Sequence, residues 1–177
     1  MKRLFQTVML LALPQSLCLA SDVVTAVHGT VSKVDSGART IVVKTKDGTE
    51  QTVHFAGKTA VHGTEAGAQD TFKGLKEGSE VVAHYTMKGA EKTAVEVDQV
   101  GKDGLKATQG TVSEIDRGAK TMAVKTADGS VQSFRMADHA TVDAGKEVGK
   151  ATEKSAKVTV YYTEKAGRKI AHFFENQ

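Results

Sequence analysis

The chain has no tryptophan, one proline, one cysteine and few aromatic residues, 5% of the whole. Each shortage removes a class of explanation. The cysteine is Cys18, inside an N-terminal stretch expected to be removed, so the mature chain would carry neither a disulfide nor a thiol nucleophile. Apolar runs are also scarce. Beyond the first twenty residues no segment is apolar for long enough to span a bilayer. Charge of one sign is lacking too. Lys2 and Arg3 are lost with residues 1–20 and no acid goes with them, so 24 − 2 basic residues face 21 acidic ones and the mature charge is about +1. A nucleic-acid or other polyanion partner is not implied.

Catalytic patterns are missing as well. Serine, histidine and acidic residues occur, but none lies in a nucleophile elbow or a zinc-protease motif, and neither a dinucleotide fingerprint nor a phosphate loop is present. No enzyme is expected.

What is present begins with the leader. Lys2 and Arg3 precede the apolar run Leu4 to Leu13, and the stretch ends at Cys18-Leu19-Ala20 before Ser21. This reads as a signal peptide over residues 1–20 cleaved after Ala20, placing the mature protein in the periplasm or outside the cell. Lipoprotein processing at Cys18 is disfavoured, because Gln15-Ser16-Leu17 puts no small residue directly before the cysteine.

The remainder is an internal repeat. Sliding the chain by 81 residues aligns Gly29 to Val61 with Gly110 to Val142, with 16 of 33 positions identical. After a connector four residues shorter in the second copy, the match resumes at an offset of 77, where Val81, Tyr85, Thr86 and Lys88 meet Val158, Tyr162, Thr163 and Lys165. The expected organisation is a first domain over 21–100, a flexible linker over 101–106 and a second domain over 107–177.

The two copies also reveal strand phase. Val53/Phe134 and Phe55/Met136 stay apolar while His54/Arg135 stays polar, which is period two. Ile41/Met122 and Val43/Val124 point inward in the same way, as do Val81, Ala83 and Tyr85 with their partners Val158, Val160 and Tyr162. Val82/Thr159 and His84/Tyr161 fall on the outward face. Asp47-Gly48 and Asp128-Gly129 predict type I′ hairpins. Seventeen glycines suit such turns. The connectors, Gly63 to Ser79 and Asp143 to Ala156, carry short helices at Gln69 to Lys73 and Glu147 to Glu153 as expectations. The predicted fold class is all-β: two tandem five-stranded OB-like barrels, each with a loop or short helix between strands three and four.

The motifs Gly29-Thr30-Val31-Ser32-Lys33-Val34-Asp35, Leu75-Lys76-Glu77-Gly78 and Val81-Val82-Ala83-His84-Tyr85 resemble a family of exported bacterial β domains of unknown function. The second copy keeps the first and last blocks but lacks the Leu-Lys-x-Gly turn. The resemblance covers nearly all of the mature chain and implies the fold and little about activity.

Six histidines remain as candidate ligands: His28, His54, His62, His84, His139 and His172. Their counterparts are Gln109, Arg135, Asp143, Tyr161, Lys58 and Val95, so a metal site shared by both copies is excluded on this alignment. His28 and His84 lie in the outward phase of neighbouring strands, and with His62 they form the candidate site for copper or zinc. The ordinary alternative is that all three are surface histidines. His172 falls in an inward phase beside Phe173 and Phe174 and reads as a buried or interfacial histidine rather than a ligand. Exported copper-binding OB barrels offer the nearest functional analogy, but the tryptophan and methionine ligands usual there have no match. The expected function is a non-catalytic binding or scaffolding module with no resident cofactor, taking a protein or small-molecule ligand in the cell envelope. Metal binding is the alternative.

Overall fold

A computed structural model describes residues 24–63, 71–142, 146–147 and 152–177. The signal peptide expected over residues 1–20 lies outside them. No helix among the described residues is long and apolar enough to cross a membrane.

Five strands build the first barrel: β1 (Thr25–Asp35), β2 (Thr40–Lys44), β3 (Glu50–His62), β4 (Glu80–Lys88) and β5 (Glu91–Gln99). They close in the order β1-β2-β3-β5-β4, with β4 returning to β1. All pairs are antiparallel except β3 with β5. The second barrel repeats this plan with β6 (Lys106–Asp116), β7 (Thr121–Lys125), β8 (Val131–Val142), β10 (Lys157–Lys165) and β11 (Arg168–Asn176). It closes through the parallel pair β11 and β8, and the two-residue strand β9 (Lys146–Glu147) pairs antiparallel with the end of β8. This is the expected all-β pair of five-stranded barrels.

Closure leaves each barrel a filled interior. Val27, Val31, Ile41, Val43, Val53, Phe55, Val81, Ala83 and Tyr85 form the first core, joined by Phe72 and Leu75 from the connector. Val112, Met122, Val124, Phe134, Val158, Val160, Tyr162 and Phe174 form the second. The repeat-derived phase is correct for these residues. One end of each barrel is covered alike: Lys92 Nζ meets Gln51 Oε1 at 2.8 Å and lies 5.5 Å from the Tyr85 ring centre, and Lys169 Nζ meets Gln132 Oε1 at 2.6 Å and lies 5.4 Å from Tyr162.

The long first strand of each barrel must pair with two neighbours in succession. Gly29 and Gly110 permit this, since a Cβ there would sit 2.3 Å from the Lys44 carbonyl oxygen and 2.4 Å from that of Lys125.

Two expectations are corrected. The Asp-Gly hairpins are not type I′: Gly48 N–H donates to the Thr45 carbonyl at 2.9 Å, and only Gly48, at φ +86°, takes the left-handed conformation. This is a three-residue loop, a type I turn closed by a glycine bulge, repeated at Thr126 to Gly129. The Thr45 hydroxyl donates to the Asp47 carboxylate, which also accepts the Thr49 N–H at 3.1 Å and so holds Asp47 in the turn. Of the two connector helices, the first is a single 3₁₀ turn at Thr71–Gly74. The second does not form as read, because Lys146–Glu147 is strand, while residues 148–151 lie outside the described ones. The segment between the barrels forms a hydrogen-bonded turn. Gly101 N–H donates to the Leu105 carbonyl, Gly104 N–H to that of Gly101 and Leu105 N–H to that of Gln99, each at 2.8 Å.

That turn sets one barrel against the other. Ala26, Val82, Leu105, Tyr161 and Phe173 bury one another in a small apolar cluster between them, with Val100 alongside. Val82, His84 and Tyr161, read as outward, do lie outside their own barrels. They are nevertheless buried, because the β4–β5 face of the first barrel meets the equivalent β10–β11 face of the second.

Candidate metal centre

The site at this junction starts with a bulge. In β5, His84 pairs with Glu96 and Tyr85 with Ala94, so Val95 is an extra residue without a partner. Without it, alternation from the inward Ala94 would turn Glu96 into the barrel core. The bulge resets the phase, so that Val97 points inward and Glu96 and Asp98 share the outer face.

A second irregularity brings the histidine. Between Phe55 and Ala60 the register of β3 against β5 shifts, held by the Thr59 hydroxyl, which donates to the Ala94 carbonyl at 2.8 Å. Beyond it Ala60 lies beside Glu96 and His62 beside Asp98. His62 Nδ1 is thus 2.8 Å from Asp98 Oδ1 and 3.1 Å from Glu96 Oε1. One donor atom from each of the three lies within 4.8 Å of the others.

The second barrel supplies the opposite wall. β11 carries the same bulge, with Tyr161 paired to Phe173 and Tyr162 to Ala171, and the extra residue is His172. The inward position expected for it is therefore corrected: it stands at the bulge with Nδ1 3.6 Å from Asp98 Oδ2 and 3.8 Å from Glu96 Oε1. Its other ring nitrogen, Nε2, lies 3.0 Å from the Thr163 hydroxyl.

The cleft is acid-rich and graded in exposure, from the buried Asp98 through the half-buried Glu96 to the exposed His62. Burial, reinforced by the Glu96 charge, raises the Asp98 carboxyl to about 6 against the opposing pull of His62. Asp98 Oδ2 is buried and has no hydrogen-bond partner among the described residues. Burial lowers His172 below the ordinary imidazole value, with Glu96 acting against the shift and His62 with it. His84 is 0% exposed and neither ring nitrogen has a hydrogen-bond partner among the described residues. Burial, then the neighbouring His172 and His139, depress it to about 3, so it is a neutral imidazole at any ordinary pH.

The histidines singled out in the sequence are thus distributed. His62 is in the carboxylate cluster. His84 lies across the β4–β5 pair from Glu96, buried rather than on the surface. His28 shares the outer face with His84, but its cross-strand partner is Val82, and it turns to the other side of the junction. There Nε2 is 2.8 Å from Glu80 Oε1, Nδ1 is 3.7 Å from Glu175 Oε2, and the ring is 4.6 Å from that of Tyr161. Glu96 and Asp98 escaped the sequence reading, although their spacing on either side of the inward Val97 is a period-two signal for two carboxylates on one strand face.

No family model matches the chain, and no curated protein matches it. Solved structures of small barrels do. The chain is similar to Ag(I)CusF, at 11% identity over 41% of this chain and 97% of that one, with a TM-score of 0.34. It is also similar to CusF-Ag(I) residues 10–88 from Escherichia coli, at 13% over 45% and 95% with a TM-score of 0.35, and to apo-CusF residues 6–88 from the same organism, at 12% over 48% and 96% with a TM-score of 0.36.

Proposed function

We propose that this is an exported metal-binding protein that holds one transition-metal dication, zinc or copper(II), against His62, Glu96 and Asp98. The observation that carries this reading is the convergence of three donor atoms within 4.8 Å where the buried Asp98 Oδ2 lacks a partner. A buried carboxylate oxygen without a hydrogen bond costs about 1–3 kcal/mol or more, and coordination of a cation removes that cost. Imidazole nitrogen with carboxylate oxygen is a donor set of intermediate hardness, suited to zinc and copper(II). The alternative of a scaffolding module has no comparable group of side chains behind it, and of the trio His28, His84 and His62 only His62 enters the site.

Titration of metal-free protein with zinc or copper(II) in a calorimeter should give one ion per chain. Asp98→Asn should abolish binding and His62→Ala should weaken it by at least about tenfold. A wild-type chain that takes up neither ion, or an Asp98→Asn variant that binds as wild type does, overturns the reading.

A further inference from the structure

The three ligands above all belong to the first barrel, yet the second barrel places His172 beside two of them. We infer that His172 of the second barrel is the fourth ligand, so that a bound ion fastens the two barrels together. This rests on the metal-binding reading and adds to it a residue and a consequence.

Geometry supports the assignment from both ends of the ring. Nδ1 lies 3.6 Å from Asp98 Oδ2 and 3.8 Å from Glu96 Oε1, beside the two carboxylates that His62 also meets. Nε2 is engaged by the Thr163 hydroxyl at 3.0 Å, the outer contact that fixes the orientation of a ligating imidazole. The backbone contributes as well. His172 is the unpaired residue of the β11 bulge, and the first barrel has Val95 at the same place, so the bulge is common to both copies while the donor is particular to one. Four donors, two nitrogens and two oxygens, match the coordination number that zinc takes in closed sites.

The consequence follows from where the ligands sit. An ion held by one barrel alone leaves docking unchanged. An ion that uses a donor from each binds the docked arrangement more tightly than the parted one, and it stabilises docking by that difference in affinity. The apolar contact between the barrels is small, Ala26, Val82, Leu105, Tyr161 and Phe173 with Val100, so a further cross-link has scope to act.

The test uses the full chain with zinc as the probe. Hydrogen exchange of the Leu105, Tyr161 and Phe173 amides is followed with and without the ion, in wild type and His172→Ala. In wild type zinc should slow exchange at these amides. His172→Ala should still bind one ion, at least about tenfold more weakly, and zinc should no longer slow them. A second reading needs no variant: in ¹⁵N-labelled wild type, zinc should shift the His172 Nδ1 resonance and leave Nε2 bonded to Thr163. Binding of zinc with an unmoved His172 resonance, or equal affinity and equal protection in His172→Ala, overturns the fourth ligand while leaving the three-residue site standing. Absence of zinc binding in wild type overturns both.

Discussion

Two buried ionisable groups lie on the outer face of the neighbouring strands β4 and β5, His84 opposite Glu96 and Asp98 opposite Val82, and they respond to acid in opposite senses. His84 titrates near 6.5 when unfolded and about 3 when folded. Between those values the unfolded chain takes up a proton that the folded one refuses, so stability is lost as pH falls, by about 1.4 kcal/mol per unit. Asp98 behaves conversely, at 3.8 unfolded and about 6 folded. In that window the folded chain holds a proton that the unfolded one lacks, so stability is gained as pH falls. From about pH 6 to about pH 4 the two slopes cancel. Metal-free protein should therefore show a nearly level contribution from this pair across the window. Asp98→Asn should expose the full His84 slope, and His84→Leu should reveal the rise from Asp98. Urea midpoints at intervals from about pH 3 to pH 8 in a chelator measure this. If Asp98→Asn runs parallel to wild type through the window, the opposition of the pair is refuted.

At the scale of elements, the glycines divide into those that geometry requires and those it does not. Gly29→Ala and Gly110→Ala push a methyl into a neighbouring carbonyl and should each cost ~2–4 kcal/mol in chemical denaturation. Gly57 has nothing within 4 Å of its would-be Cβ and an ordinary φ, so Gly57→Ala should be neutral or stabilising by up to ~1 kcal/mol. Equal losses at all three would refute the close-approach account. The regular strands were legible from residues such as Val53/Phe134 and Val81/Val158, because a buried position keeps its apolar character in both copies. What escaped was the irregular backbone. The single extra residue at Val95 and at His172 breaks the alternation, so His172 stands at a bulge between the barrels rather than in an inward position, and the register shift in β3 brings His62 beside Asp98 with no periodic signal. Nor does strand phase distinguish an outward face that meets water from one that meets another barrel. His84 and Tyr161 were assigned the right side of the sheet and the wrong surroundings.

For the whole molecule, barrels of this size each bury only ~60% of the surface of their unfolded chains and gain from a neighbour. Val82 is fully buried at the junction while its side chain lies outside the barrel core. Val82→Asp would leave an unpaired charge in an apolar contact, which only separation of the barrels relieves. We expect differential scanning calorimetry to turn one cooperative transition into two lower ones, with far-UV circular dichroism at low temperature preserved. A single transition at the wild-type temperature would show that the apolar junction does not couple the barrels.

The turn from Gln99 to Leu105 has one further effect. Two separate copies of a barrel meeting through the same face would form a symmetric pair, in which every substitution appears twice and any ligand placed on one side is duplicated on the other. A covalent tandem removes that constraint. Once a few residues hold the two faces together at high effective concentration, Glu96 and Phe173, Asp98 and Glu175, or Val95 and His172 are free to differ, although each pair occupies one position of a common plan. An ion held between two such faces needs donors that complement one another rather than copies of the same donor, and a single chain can encode that asymmetry.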